Sequence, residues 1–309
     1  MTERKNVALV LASGGSRGLA HIGAIEVLEE HGFRITSVAG ASMGALVGGI
    51  YAAGGLDAFK EWMKTVDRMK VFNLMDFTIG NGGFVKGERV IEELKSIIPD
   101  RKIEELPVHF TAVATDILHR REVVFGSGSL YDAIRSSISL PSVFTPNRIG
   151  DMLLIDGGVV NPVPVNRVRR LSGDILVVVD LNGPYEEKEE DGEPEHKKGR
   201  IRQRLEQIVD TVMDKVRKEE VDRELLPGTD DGKEDVDNDM GIVSILNQSS
   251  SMMIQTNADL TLQLYPPDVL VRIAKNAYGT MEFYKYDEIV ALGRQKMEAA
   301  LTAAFGMTG

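Results

Sequence analysis

The chain has 309 residues, 43% of them hydrophobic, and a formal net charge of −11. That length fits one large domain or two ordinary ones, that composition can bury a sizeable core, and that charge argues against wholesale nucleic-acid binding. The absence of cysteine excludes disulfides, thiolate catalysis and cysteine metal sites.

At the N-terminus, charge precedes an apolar run, Val7 to Ala12, that is too short for a secretory signal. Asn6 to Leu11 predicts a buried strand that stops at a glycine turn. Leu19 to Glu30 predicts a helix ended by Gly32, and Thr36 to Ala39 a second short strand. Met43 to Ala53 is apolar nearly all round and predicts a buried helix. Gly87 to Ile98 predicts an amphipathic helix, Val108 to Thr115 a strand and Leu130 to Ser139 a helix stopped by Pro141. Met152 to Ile155 and Asp174 to Asp180 predict strands. Short apolar strands alternating with helices predict an α/β fold with a mostly parallel sheet.

The composition shifts at Gly183. From there to Met240 there are 20 acidic against 11 basic side chains, which carries −9 of the −11. Residues 184–199 read as a charged loop, Arg200 to Glu224 as an amphipathic helix and Leu226 to Asp239 as a second acidic loop. Order resumes with a helix over Ile242 to Thr256, a strand over Asp259 to Leu264 and a final helix over Asp287 to Ala304. The expected organisation is one domain over residues 1–309 with an acidic, partly helical insertion at 183–240. No stretch approaches the ~20 apolar residues of a membrane-spanning helix. The expectation is a soluble, cytoplasmic-type protein able to make transient peripheral contact with the inner face of a membrane.

Three segments can carry chemistry. Gly40-Ala41-Ser42-Met43-Gly44 follows a strand and opens a helix. Glycines on both sides let the chain turn sharply and project the Ser42 hydroxyl, while the amides of the helix that begins at Met43 face developing negative charge. Ala12-Ser13-Gly14-Gly15-Ser16-Arg17-Gly18 follows the first strand, and such a loop can turn several N–H groups into one anion-binding concavity. Asp156-Gly157-Gly158 sets a carboxylate on a tight turn. A bland reading also exists for each: Ser42 as a helix cap, Asp156 as an Asx turn. The glycine loop also resembles that of short-chain dehydrogenases. That chemistry needs Tyr-x-x-x-Lys, and none of the seven tyrosines has lysine four residues on. A Ser-His-Asp triad of the α/β-hydrolase kind places its histidine after the acid. The one histidine there is His196, inside the charged insertion. That leaves Asp156 as a direct base to Ser42, and a desolvated pocket would raise its proton affinity to suit.

The order of these three segments, with the runs Pro141 to Pro146 and Asp156 to Val165, resembles the patatin-like phospholipases, above all the bacterial members. The resemblance spans Asn6 to Leu181 and resumes at Tyr265-Pro266-Pro267-Asp268-Val269. Ser13 stands where many members have glycine. The resemblance implies a three-layer α/β fold, a central mostly parallel sheet with helices on both faces. It implies a Ser–Asp dyad of Ser42 and Asp156, and an oxyanion hole from the amides of Gly14, Gly15 and Ser16. Arg17, Gly18 and Met43 would support the loop or contact substrate. The substrate would be a phospholipid or lysophospholipid ester, with no cofactor and no metal. Two other classes fit the same residues: an esterase or thioesterase on soluble acyl substrates, and a non-catalytic lipid-binding module. Ser251-Met252-Met253-Ile254 offers adaptable side chains to an acyl channel or to the core.

Overall fold

The computed structural model of the protein describes residues 5–74, 86–141, 143–186 and 242–306. Its contacts divide the chain into two units, Met1–Glu186 with Leu246–Gly309, and Glu187–Ile245. The first holds the entire sheet. The predicted helix from Arg200 to Glu224, the acidic stretch Leu226 to Asp239 and His196 lie outside the described residues.

Eight strands form one sheet in the order β5-β6-β3-β2-β1-β7-β8, with β4 paired to β3 off this path. The strands are β1 (Asn6–Leu11), β2 (Arg34–Ala41), β3 (His109–Asp116), β4 (Arg121–Phe125), β5 (Asn147–Ile149), β6 (Met152–Asp156), β7 (Ile175–Gly183) and β8 (Val269–Ala274). The pairs around β1, β2, β3, β7 and β8 are parallel. Pairing turns antiparallel where β3 meets β4 and β6, and where β5 meets β6.

Eight helices accompany the sheet among the described residues: α1 (Ala20–Glu30), α2 (Met43–Ala52), α3 (Leu56–Lys64), α4 (Arg68–Leu74), α5 (Glu88–Ile97), α6 (Leu130–Ser137), α7 (Ile242–Leu264) and α8 (Tyr286–Phe305). Successive strand side chains face opposite sides, and β1 divides its own accordingly. Val7, Leu9 and Leu11 join the larger core, with side chains from α1, α2, α3, α5, α6 and α8. Ala8, Val10 and Ala12 join a smaller core closed by Ala258 and Leu262 of α7 and by Val163 and Val165. Helices therefore lie on both faces, unequally.

One predicted element changes type. The expected strand at Asp259 to Leu264 is the last part of α7. Leu260, Leu262 and Leu264 alternate as a strand would, yet Leu262 is buried while Leu260 and Leu264 are exposed. That is one face of a helix, with Ala258 and Leu262 four residues apart. The strand itself, β8, begins after Pro266-Pro267 and buries Val269, Val271 and Ile273.

The sheet brings the chemistry together through β3. Ala41, the last residue of β2, pairs with Val113, and Asp156, the last residue of β6, pairs with Ala114. Two distant strands thus end at adjacent positions on one neighbour.

Candidate active site

Ser42 sits between β2 and α2 with φ 54 and ψ −124. A side chain at positive φ is strained, on the order of 1–3 kcal/mol, and persists only where its surroundings impose it. The flanking glycines impose it here by close approach. A Cβ on Gly40 would lie 2.3 Å from the Gly44 carbonyl oxygen, and one on Gly44 would lie 2.0 Å from that of Leu11. From below, the Ser42 amide donates to Ser137 Oγ at 2.9 Å, and Ser137 Oγ donates to the Val113 carbonyl at 2.6 Å. Ser137 reaches this position from α6.

The Ser42 hydroxyl donates to Asp156 Oδ2 at 2.5 Å. The other carboxylate oxygen accepts the Gly158 amide at 2.7 Å. The backbone of Asp156 is held too: its amide donates to the Ser139 carbonyl, and its carbonyl accepts Thr115 Oγ1. Asp156 is 2% exposed. Burial pushes its carboxyl up from the ordinary 3.8 to about 6, against the opposing hydrogen bonds from Ser42 and Gly158. That range suits a base that takes a proton and returns it near neutrality.

No described histidine bonds Ser42 or Asp156. His21 is fully buried beside the glycine loop, and its Nε2 contacts the Ala12 carbonyl at 2.9 Å. Burial lowers its pKa to about 4, so the ring is neutral and Nε2–H donates. His31 pairs with Glu298 and His119 with Asp116.

The loop places its expected donors differently. Gly14 lies in extended backbone and Gly15 at φ +59. Neither amide donates to a described acceptor, and Gly15 lines the same cavity as Ser42. The Ser16 amide instead donates to the Thr280 carbonyl at 2.9 Å, and its hydroxyl donates to the Gly279 carbonyl at 2.7 Å. Ser16 therefore fastens the loop and has no N–H left for an oxyanion, which corrects the expectation for that residue. Met43, the first residue of α2, carries one of the amides that a helix leaves unpaired, and it lines the cavity as well.

Arg17 is buried. Its Nε donates to the Leu181 carbonyl at 3.3 Å and its Nη1 to the Tyr278 carbonyl at 2.8 Å. It ties the loop to the end of β7 and to the segment before α8. Gly18 admits Met43 so closely that a Cβ there would lie 2.3 Å from the Met43 Cβ.

An apolar cavity opens beside Ser42. Its wall takes Met43 and Leu46 from α2, Phe59, Trp62 and Met63 from α3, Val71 and Leu74 from α4, and Val90 and Leu94 from α5. Ile138, Leu140, Phe144, Met281 and Phe283 complete it. The methionines at 252 and 253 take no part. They are 67% and 65% exposed on α7, neither channel wall nor core. The sequence reading includes Met43 but misses Ser137, Thr280 and the rest of the cavity wall. The wall residues form helical stripes on α3 and α5, but nothing local in the sequence marks those stripes as facing a serine.

The model of the patatin-like phospholipase family matches residues 9–168. An NTE family protein of Mycobacterium tuberculosis is 32% identical over 96% of this chain and 91% of its own length. A lysophospholipase NTE1 of Debaryomyces hansenii is 29% identical over 57% of this chain and 12% of its own. Among solved structures, VipD from Legionella pneumophila aligns over 98% of this chain and 67% of its own, with 15% identity and a TM-score of 0.45.

Proposed function

Because the chain belongs to the patatin-like phospholipase family, we propose that Ser42 and Asp156 form the catalytic dyad of a hydrolase that cleaves acyl esters of phospholipids or lysophospholipids. The observation that carries this reading is the 2.5 Å hydrogen bond between Ser42 Oγ and a buried carboxylate, at the mouth of an apolar cavity. Ser42 Oγ attacks the ester carbonyl carbon as its proton passes to Asp156 Oδ2. The carbonyl oxygen becomes an oxyanion, received by the amides of Gly14 and Gly15 and by the N-terminus of α2. The ester C–O bond then breaks, and the departing alkoxide takes the proton from Asp156. The acyl group stays on Ser42 as an ester, its chain in the cavity. Water gives a proton to Asp156 and adds to that ester; the carboxylic acid leaves and Ser42 recovers its proton.

The lipid surface meets the molecule at α4. This helix exposes Met69 (65%) while Val71 and Leu74 line the cavity. No helix among the described residues is long and apolar enough to cross a membrane.

A fluorophosphonate probe tests the reading. Wild type takes one label per chain and Ser42→Ala takes none, with turnover of long-chain esters lower by about 10⁴-fold or more. Equal labelling of both proteins, or labelling without ester turnover, overturns it.

A further inference from the structure

A second cleft lies on the other side of Thr280 from the acyl cavity. Thr280 belongs to the walls of both. Where the first cavity is apolar, the second is lined by Arg17, Lys275, Ser251, Tyr278 and Thr280 among others. It holds about 270 Å³, several times the roughly 30 Å³ share of one water.

Its two cations are held by main-chain carbonyls, with no carboxylate in contact among the described residues. Arg17 spends Nε and Nη1 on main-chain carbonyls, and its Nη2 has no acceptor among the described residues. Lys275 Nζ donates to the Ser251 carbonyl at 2.6 Å, which uses one of its three protons. No described carboxylate forms an ion pair with either. Asp180, the acid whose charge both feel, lies in no ion pair with either and shares Arg272 with Asp259. Burial first, and the charge of Arg17 second, draw Lys275 down to about 8. Two cations close enough to repel, in a polar cleft with unspent donors, are complementary to an anion with several acceptor oxygens. An anion seated there would relieve the repulsion and satisfy the donors together.

We propose that this cleft is the head-group subsite, in which Lys275 and Arg17 bind the phosphate of a glycerophospholipid or lysophospholipid whose acyl chain occupies the cavity beside Ser42. The assignment rests on the acyl hydrolase reading above. The segment Tyr278 to Thr280 lines the cleft, and its Thr280 lines the acyl cavity as well. That segment also accepts hydrogen bonds from both Ser16 and Arg17. Phosphate in the cleft therefore bears on the loop that carries the Gly14 and Gly15 amides.

The test compares two substrates of one acyl chain in the same neutral micelles, lysophosphatidylglycerol and monoacylglycerol. The readout is the ratio of their kcat/KM values, which does not depend on how much of a sample is folded. Lys275→Met lowers that ratio by about tenfold or more, and Lys275→Arg restores most of it. Inorganic phosphate raises KM for lysophosphatidylglycerol in wild type and not in Lys275→Met. An unchanged ratio in Lys275→Met overturns the subsite. Competition by inorganic phosphate without any change in the ratio assigns the cleft to free phosphate and also overturns it. If wild type turns over neither ester and takes no fluorophosphonate label, it is the hydrolase reading that fails.

Discussion

Asp156 carries two opposed demands. To accept a proton from Ser42 it must be ionised, yet burial raises its carboxyl to about 6. The folded chain therefore keeps this proton at pH values where the unfolded chain has lost it. The associated stability is fully present below the ordinary 3.8 and is gone once the pH rises through about 6. Above that, the ionised group is a standing cost on the order of 3 kcal/mol. Asp156→Asn should thus raise the unfolding midpoint at pH 7.5, with the gain fading toward pH 4, and cut turnover by about 10³-fold or more. Wild-type kcat/KM should fall on the acid side with an apparent pKa near 6. A variant that is inactive yet no more stable at pH 7.5 would contradict this balance.

At the scale of elements, the turn between β2 and α2 is held by packing rather than by its own preference. Gly44→Ala places a methyl 2.0 Å from the Leu11 carbonyl oxygen and should cost on the order of 3 kcal/mol or more, read by urea denaturation. Ser137→Ala removes the acceptor of the Ser42 amide and should cost about 1–3 kcal/mol and lower kcat more than it raises KM. These two cases mark what the chain discloses locally. Gly40, Ser42 and Gly44 lie within five residues, and their spacing alone announces the turn. The turn at Asp156 is announced likewise by its two glycines. Ser137 supports the same turn from 95 residues away, and Ser16 binds Gly279 across 263. No window of sequence contains such pairs. The same limit applies to elements. β1, β2, β3, β6 and β7 are apolar runs under glycine or proline punctuation, and all were read. β4 is short and only partly buried, three apolar residues behind two charged ones, and β5 is three residues long. The end of α7 reads as a strand because alternate leucines satisfy two periods at once, and only burial distinguishes them.

Across the whole molecule, the cavity beside Ser42 is assembled from four consecutive helical segments, α2 to α5, closed by residues after α6 and before α8. Its depth should set the acyl length that fits. Met63→Trp, which fills it from α3, should lower kcat/KM for long-chain esters about tenfold relative to short ones and move the optimum in a chain-length series toward shorter acids. An unmoved optimum would place the acyl chain elsewhere.

The unequal layering of the sheet has its own consequence. Among the described residues, the larger core draws on most of the helices, whereas the smaller rests on two residues of α7 and on valines 163 and 165, a few positions beyond the Asp156 turn. Fraying costs least where the apolar seal is thinnest. The carboxylate therefore sits beside the seam that should part first under stress, and the molecule should lose its chemistry to partial opening well before its central strands come apart.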